Sequence, residues 1–285
     1  VNSFSGNREN HHVLPEISEG KIHVWEIALD NPAVGPRELF KHVLSDDEKE
    51  RAMRLGLTNY RDRFVTARGY LRTILGRYLN ISPASIEFEY NERGKPGLHA
   101  ESNPKGINFN ISHSRSLALC AVGVQATVGV DVEYVRGVMR PEKILERFFS
   151  PDEREYYHSS PDIMKNRSFM SLWTIKEAYS KAVGTGFSSG LKDLDFSSVI
   201  KSPGVSGSLA ILNERWTILR LDPGNDYIGA LANRGEVTEI IHFIADNMQQ
   251  YRGKSFLNIN NYPGYTTNLP MSWDYFQKIT GKLPR

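Results

Sequence analysis

The sequence predicts an α+β fold built from two similar subdomains related by a pseudo-two-fold axis. Three observations carry that prediction. Slid along itself by 105 residues, the distance from Ser45 to Ser150, the chain matches itself in order: LSDDEKERAMRL (44–55) falls on FSPDEREYYHSS (149–160), and HVWEIAL (23–29) on VGVDVEY (128–134). Phe64, Arg68 and Arg72 fall on Phe169, Trp173 and Glu177 at the same offset. With 285 residues and 40% apolar composition, the chain can bury two such units without covalent staples.

Each half then reads strand, capped helix start, long amphipathic helix, further strands. HVWEIAL opens the first half. Ser45 is the expected N-cap of the helix that follows, with Glu48 three residues on in capping-box spacing; Ser150 and Glu153 repeat the pair in the second half. The long helices carry Phe64, Arg68 and Arg72 in one half and Phe169, Trp173 and Glu177 in the other. FNIS (109–112) and the apolar SLALCAVG (116–123) read as a hairpin with His113 at its end, turned toward a cleft between the halves. The expected boundaries are 13–125 for a first, ligand-binding subdomain, 126–250 for a second that carries the catalytic acids, and 251–285 for a peripheral tail. Glu26, Ala28 and Arg72 fall on Asp131, Glu133 and Glu177, so only the second half has a full set of acids and the chemistry is expected to be lopsided.

Composition excludes several classes. A single cysteine, Cys120, allows no intrachain disulfide, and the first residues, VNSFSGNREN, lack the apolar region of a secretory signal, so a cytoplasmic protein is expected. No apolar run reaches the roughly 18 residues of a membrane span. A formal charge of +2 is too small to mark nucleic acid as the main partner. Two halves in one chain suit a monomer.

In VGVDVEY, Val128, Val130 and Val132 alternate with Gly129, Asp131 and Glu133, the period-two pattern of a strand with one buried face. Asp131 and Glu133 therefore project from one side, about 7 Å apart. Paired carboxylates of this kind suit a hard divalent cation such as Mg²⁺, whereas no Cys/His cluster offers a zinc site. In LWTIKEAYSKAVG (172–184), Trp173, Glu177 and Lys181 follow at four-residue steps on one helix face, rising about 6 Å per step. Glu177 is then a third metal carboxylate or a general base, and Lys181 meets anionic charge one turn further on; the same two residues also make an ordinary i,i+4 ion pair.

Together, GKPGL (94–98), FNISHS (109–114), GVDVE (129–133), ERFFSPDE (146–153) and LWTIKEAYSKAVGTG (172–186) resemble the 4′-phosphopantetheinyl transferases, specifically the long, single-chain, pseudo-dimeric Sfp type. The resemblance covers about residues 45–230. It implies transfer of the phosphopantetheine arm of coenzyme A to a serine of an acyl, peptidyl or aryl carrier protein, with release of adenosine 3′,5′-bisphosphate. It further implies that Asp131, Glu133 and Glu177 hold Mg²⁺ against the pyrophosphate, that Glu177 takes the serine proton directly or through a metal-bound water, and that Lys181 stabilises the leaving bisphosphate. Lys95 in the glycine-flanked turn RGKPGL, and Ser112 with His113, become coenzyme A contacts. Arg68 is expected at the 3′-phosphate; Arg72 either joins it or pairs with acids across the pseudo-two-fold, and Glu153 is either functional or only a capping-box member. Arg136, Arg140 and Lys143, beside Val138, Met139 and Ile144, suit an acidic carrier. Two other readings remain open to the sequence: a Mg²⁺-dependent nuclease, which also uses Asp, Glu and Lys at such spacings, and an inactive coenzyme A-binding homologue.

Overall fold

The computed structural model describes residues 16–30, 36–92, 94–184, 189–202, 206–211, 213–224, 226–245 and 252–258. Its first half comprises β1 (Lys21–Ala28), α1 (Pro36–His42), α2 (Asp46–Arg54), α3 (Thr58–Leu79), the short hairpin β2 (Phe88–Tyr90) and β3 (Pro96–Leu98), and the hairpin β4 (Ile107–Ser114) and β5 (Leu117–Val124). The second half comprises β6 (Thr127–Tyr134), α4 (Pro141–Phe148), α5 (Pro151–Ser159), α6 (Lys165–Val183), α7 (Ser197–Lys201), β7 (Ser206–Ile211), β8 (Glu214–Leu221) and β9 (Tyr227–Arg234). Two last strands follow, β10 (Glu239–Ala245) and β11 (Arg252–Asn258).

The duplication holds at the level of helices. α2 and α5 begin one residue after Ser45 and Ser150, whose backbone amides donate to Glu48 (3.2 Å) and Glu153 (2.8 Å), closing the expected capping boxes. α3 and α6 both end on a left-handed residue, Asn80 (φ 58) and Gly184 (φ 78). In each half the first strand pairs antiparallel with the last strand of a hairpin: β1 with β5 and β4, β6 with β9 and β8.

Three apolar clusters hold the frame. α3 lays Leu71, Ile74 and Leu75 on Trp25, Ile27, Cys120 and Val122. α6 lays Leu172, Ile175 and Ala178 on Ile218, Ala230 and Ala232. Between the two sheets, Ile22, Val24, Leu119 and Ala121 meet Val128, Val130, Val132 and Leu231, so the halves share one core.

Two expectations are corrected. β1 and β6 correspond at an offset of 106, from Lys21 to Thr127, not 105. A slip of one residue exchanges the two faces of a strand. The structural counterparts of Asp131 and Glu133 are therefore Trp25 and Ile27, which face α3, and not Glu26 and Ala28. The second unit also ends earlier than residue 250. β10 returns to pair in parallel with β1, and β11 pairs with β10, giving the order β11-β10-β1-β5-β4. The reason is the open edge of β1, whose main-chain groups need a partner. Of the tail expected at 251–285, residues 252–258 form β11 and the remainder lies outside the described residues.

Candidate active site

The site begins with a missing side chain. Gly129 of β6 lies so close to α6 that a Cβ would collide with the backbone of Ala178 and Ala182. Asp131, next on the same face, thereby meets the last turns of α6. It is 3% exposed, and Lys181 Nζ donates to its Oδ1 at 2.5 Å. Ser112 Oγ, from β4 of the other half, donates to the same oxygen at 2.8 Å and receives Lys181 Nζ at 2.7 Å. The second oxygen, Oδ2, is buried and has no side-chain hydrogen-bond partner among the described residues. Burial pushes the Asp131 carboxyl above its ordinary value, against the opposing pull of Lys181 and Ser112.

Glu133 lies half-buried two residues on and accepts from Ser114 Oγ at 2.8 Å. Burial is also the main cause that raises its pKa. Glu177 reaches the same place from α6: burial, then the charge of Asp131, drive its pKa to about 7, with Lys181 opposing and Glu133 adding. The three expected acids therefore share one electrostatic neighbourhood. Among the described residues, no three His, Cys, Asp or Glu side chains stand in a ready metal-holding cluster. The ammonium of Lys181 neutralises Asp131 in this arrangement.

A cleft of about 490 Å³ opens at the start of β6, lined by Tyr90, Lys95 and Pro96 of the short hairpin, Asn108, Thr127 and Ala182 among others. Lys95 Nζ donates to the carbonyl of Lys181 at 2.6 Å, one of the last carbonyls of α6 that lack an intrahelical partner. Burial lowers the Lys95 pKa. His113 is exposed at the end of β4, and its pKa is lowered by loss of solvation and by the nearby Lys181 charge. A second, more apolar groove of about 400 Å³ starts at Glu133 and runs over Arg136, Val138, Met139, Ile144 and Trp173.

Three expected ligand contacts turn out to be engaged inside the protein. Arg72 is 1% exposed; it donates to Glu48 (2.6 Å), Ser45 (2.8 Å) and the carbonyls of Pro83 (3.1 Å) and Ile86 (2.9 Å). It is a buried anchor of α2 within its own half, and the expectation that it binds coenzyme A is corrected. Arg68 pairs with Glu48 at 3.2 Å, donates to Tyr90 Oη at 2.8 Å, and stands behind the cleft wall. Ser112 bridges Lys181 and Asp131. Glu153 is fully buried, paired with Lys176 at 2.9 Å and bonded to Phe196 N at 3.0 Å, which makes it structural.

Sequence reasoning missed the way the halves join. β4 and β6 end their respective sheets and lie side by side without main-chain pairing. Instead Asn110 Oδ1 accepts from Val130 N (2.9 Å), Ser112 donates to Asp131, and Ser114 Oγ accepts from Tyr134 N (3.1 Å) while donating to Glu133. The signal was present as polar residues at every second position of FNISHS.

This geometry is matched by kinship. Residues 127–232 match the family model of the 4′-phosphopantetheinyl transferase superfamily, and residues 32–125 match that of the 4′-phosphopantetheinyl transferase N-terminal region. The chain belongs to this family of enzymes. It is 38% identical over 215 residues to the 4′-phosphopantetheinyl transferase HetI of Nostoc sp., covering 75% of this chain and 88% of the relative. It is 35% identical over 159 residues to the transferase gsp of Aneurinibacillus migulanus, covering 53% and 63% of the two chains. With the transferase Sfp of Bacillus subtilis it shares 26% identity over 166 residues, 58% and 71% of the two chains. The protein is a 4′-phosphopantetheinyl transferase of the single-chain, Sfp type, and the nuclease reading is set aside. Among the described residues, no helix is long and apolar enough to cross a membrane.

Proposed function

We propose that this enzyme moves the 4′-phosphopantetheine arm of coenzyme A to a serine of an apo carrier protein. One observation supports the reading most directly: three zones succeed one another along β6. The cleft touches Ala126–Val128, the Asp131–Lys181 pair follows, and the apolar groove begins at Glu133. A donor bound in the cleft and an acceptor held in the groove would meet at the acids between them.

Lys95 and His113 bind the anionic nucleotide end of coenzyme A, with Arg68 bracing Tyr90 in the wall. The serine oxygen attacks the phosphorus that carries the pantetheine arm. A new O–P bond forms, the pyrophosphate linkage breaks, and adenosine 3′,5′-bisphosphate leaves. Glu177, held near pH 7 by its surroundings, accepts the serine proton. Lys181 is within reach of the charge that develops on the leaving bisphosphate. Asp131, Glu133 and Glu177 supply only oxygen donors, and the buried Oδ2 of Asp131, without a side-chain hydrogen-bond partner among the described residues, suits a hard cation. Bound there, Mg²⁺ would neutralise the pyrophosphate and orient it for in-line attack. All chemical groups lie in one chain, which supports a monomer, and the single Cys120 is buried with its thiol pKa pushed up by burial, in keeping with a cytoplasmic setting.

The test is intact-mass analysis of several apo carrier proteins incubated with enzyme, coenzyme A and Mg²⁺, beside plasmid DNA as an alternative substrate. The expected result is a gain of one phosphopantetheine group on at least one carrier and intact DNA. A panel left unmodified under these conditions would overturn the reading.

A further inference from the structure

We propose that Ser114 is a positioning residue for Glu133, acting from the opposite half of the molecule. The proposal rests on the reading of Glu133 as part of the catalytic acid set. Ser114 closes β4, and its hydroxyl is fixed from both sides. It accepts the amide of Tyr134 at 3.1 Å, so its own proton is directed at Glu133 Oε2, 2.8 Å away. A hydroxyl that only filled a hydrogen-bonding vacancy could turn freely; this one is held by the main chain of the strand that bears its target.

The turn that follows is clamped onto the same place. Arg115 takes a left-handed conformation (φ 49) and stacks its guanidinium on the Tyr134 ring, 3.7 Å from the centroid. Ser116 bonds Tyr227 Oη through both its amide (3.3 Å) and its hydroxyl (2.9 Å). Tyr227 in turn meets Tyr134 edge-on, with ring centroids 5.3 Å apart. Three successive residues of one half are therefore seated on the end of β6 and the start of β9 in the other. Glu133 also lines the apolar groove, and the hydrogen bond from Ser114 is what ties its carboxylate to the opposite half. Ser114 sets which way the second acid points, and it makes that direction depend on the fit between the halves.

The test compares the full chain carrying Ser114→Ala or Ser114→Thr with the wild type. Mn²⁺ affinity is read from the electron paramagnetic resonance signal of the free ion, and kcat and the coenzyme A KM are measured separately. Losing an oriented partner of a metal carboxylate costs about 10- to 100-fold in affinity or rate. Ser114→Ala is expected to lose that much in Mn²⁺ affinity and kcat, with the coenzyme A KM changed less than about threefold and the melting temperature close to wild type. Ser114→Thr keeps the hydroxyl and is expected to restore most of both. Unchanged Mn²⁺ affinity and kcat in Ser114→Ala, or a threonine variant no better than alanine, would overturn the proposal. A wild type that binds no Mn²⁺ would instead overturn the metal reading, and this proposal with it.

Discussion

The two halves share a frame and use it for opposite ends. Each caps its second helix, α2 or α5, with a serine and a buried glutamate, and each anchors that glutamate with a buried cation from its long helix. In the first half the cation is Arg72, which ties Glu48 and Ser45 to the chain at Pro83 and Ile86. In the second it is Lys176, bonded to Glu153 and to the carbonyls of Leu191 (2.7 Å) and Leu194 (2.8 Å). Arg72 and Lys176 stand 104 residues apart, as do the left-handed ends of their helices, Asn80 and Gly184, so the two anchors are counterparts and Glu177 is the next residue along α6. The strands tell the same story: His23, Trp25 and Ile27 pack against α3 where Gly129, Asp131 and Glu133 meet α6. Trp25 stacks on Phe243 of β10 at 4.5 Å, filling with aromatic surface the place that is polar in the other half. Duplication supplied two scaffolds, of which one became a packed support and the other a site.

The sharpest way to break this comparison is to make the same change on both sides. Asp131→Ala is expected to reduce carrier modification by about 100-fold or more with the fold intact, because it removes a carboxylate from the set that would hold the cation on the pyrophosphate. Trp25→Ala, at the structural counterpart, is expected to cost about 3–5 kcal/mol of stability, since it empties a site only 1% exposed. Transfer rates and urea unfolding of the two variants measure both. An active Asp131→Ala, or a Trp25→Ala as stable as wild type, would remove the asymmetry.

The anchors offer a second contrast, in stability alone. Truncating one partner of a buried ion pair leaves the other uncompensated, at about 3–5 kcal/mol. Lys176→Ala leaves Glu153 with no cation among its bonded partners, whereas Arg72→Ala leaves Glu48 still paired with Arg68 at 3.2 Å. Lys176→Ala should therefore destabilise the chain more. Equal midpoints of denaturation in the two variants would show that Arg68 does not substitute.

Much of this frame was legible in the sequence, and the exceptions have physical causes. The capping boxes and the long helices were readable because their spacing is local. The acid strand was readable because only one face of β6 is apolar. β1 is buried on both faces from Ile22 to Trp25, so no alternation in HVWEIAL marks which residues look at α3, and the one-residue slip has no signal in the sequence. Arg72 reads as a ligand contact in the sequence because its partner Glu48 lies 24 residues earlier, where it also completes a cap. The return of β10 to β1 had no local signal, since parallel pairing joins segments more than 200 residues apart.

A third contrast is in pH. Burial and the neighbouring charges raise Glu177 from 4.5 to about 7, whereas the first half has an uncharged residue, Thr73, at the corresponding helical position. An acid raised in the folded state stabilises the fold below its unfolded pKa, and that contribution is lost as pH climbs through the folded one. Without divalent cation, the melting temperature should therefore decline between pH 4.5 and about 7, less steeply in Glu177→Gln, and Mg²⁺ should oppose the decline by favouring the carboxylate. Transfer should fall about tenfold per unit on the acid side of the Glu177 pKa, moving to lower pH as Mg²⁺ is raised. Parallel melting curves in wild type and Glu177→Gln would count against Glu177 as the titrating group.

The smallest expected effect concerns the outer surface. The groove beyond Glu133 joins Arg136 to Val138, the 86%-exposed Met139 and Trp173, and Arg140 stands exposed at the start of α4. Such a mixture fits a transient partner: cations steer an acidic carrier and the apolar groups hold it. The first half has its own exposed apolar residues, Met53 and Leu57, beside the exposed Arg54, but they lie at the junction of α2 and α3 and not on the path along β6. Charge reversal should therefore act on one half only. Arg136→Glu with Arg140→Glu is expected to slow modification of an acidic carrier by about three- to tenfold at low ionic strength, with the difference shrinking as salt rises and the coenzyme A KM unaffected. Arg54→Glu should leave all three unchanged. Initial rates at two ionic strengths decide it: wild-type rates in the double variant, or an equal loss in Arg54→Glu, would mean that carrier recognition does not follow the asymmetry of the site.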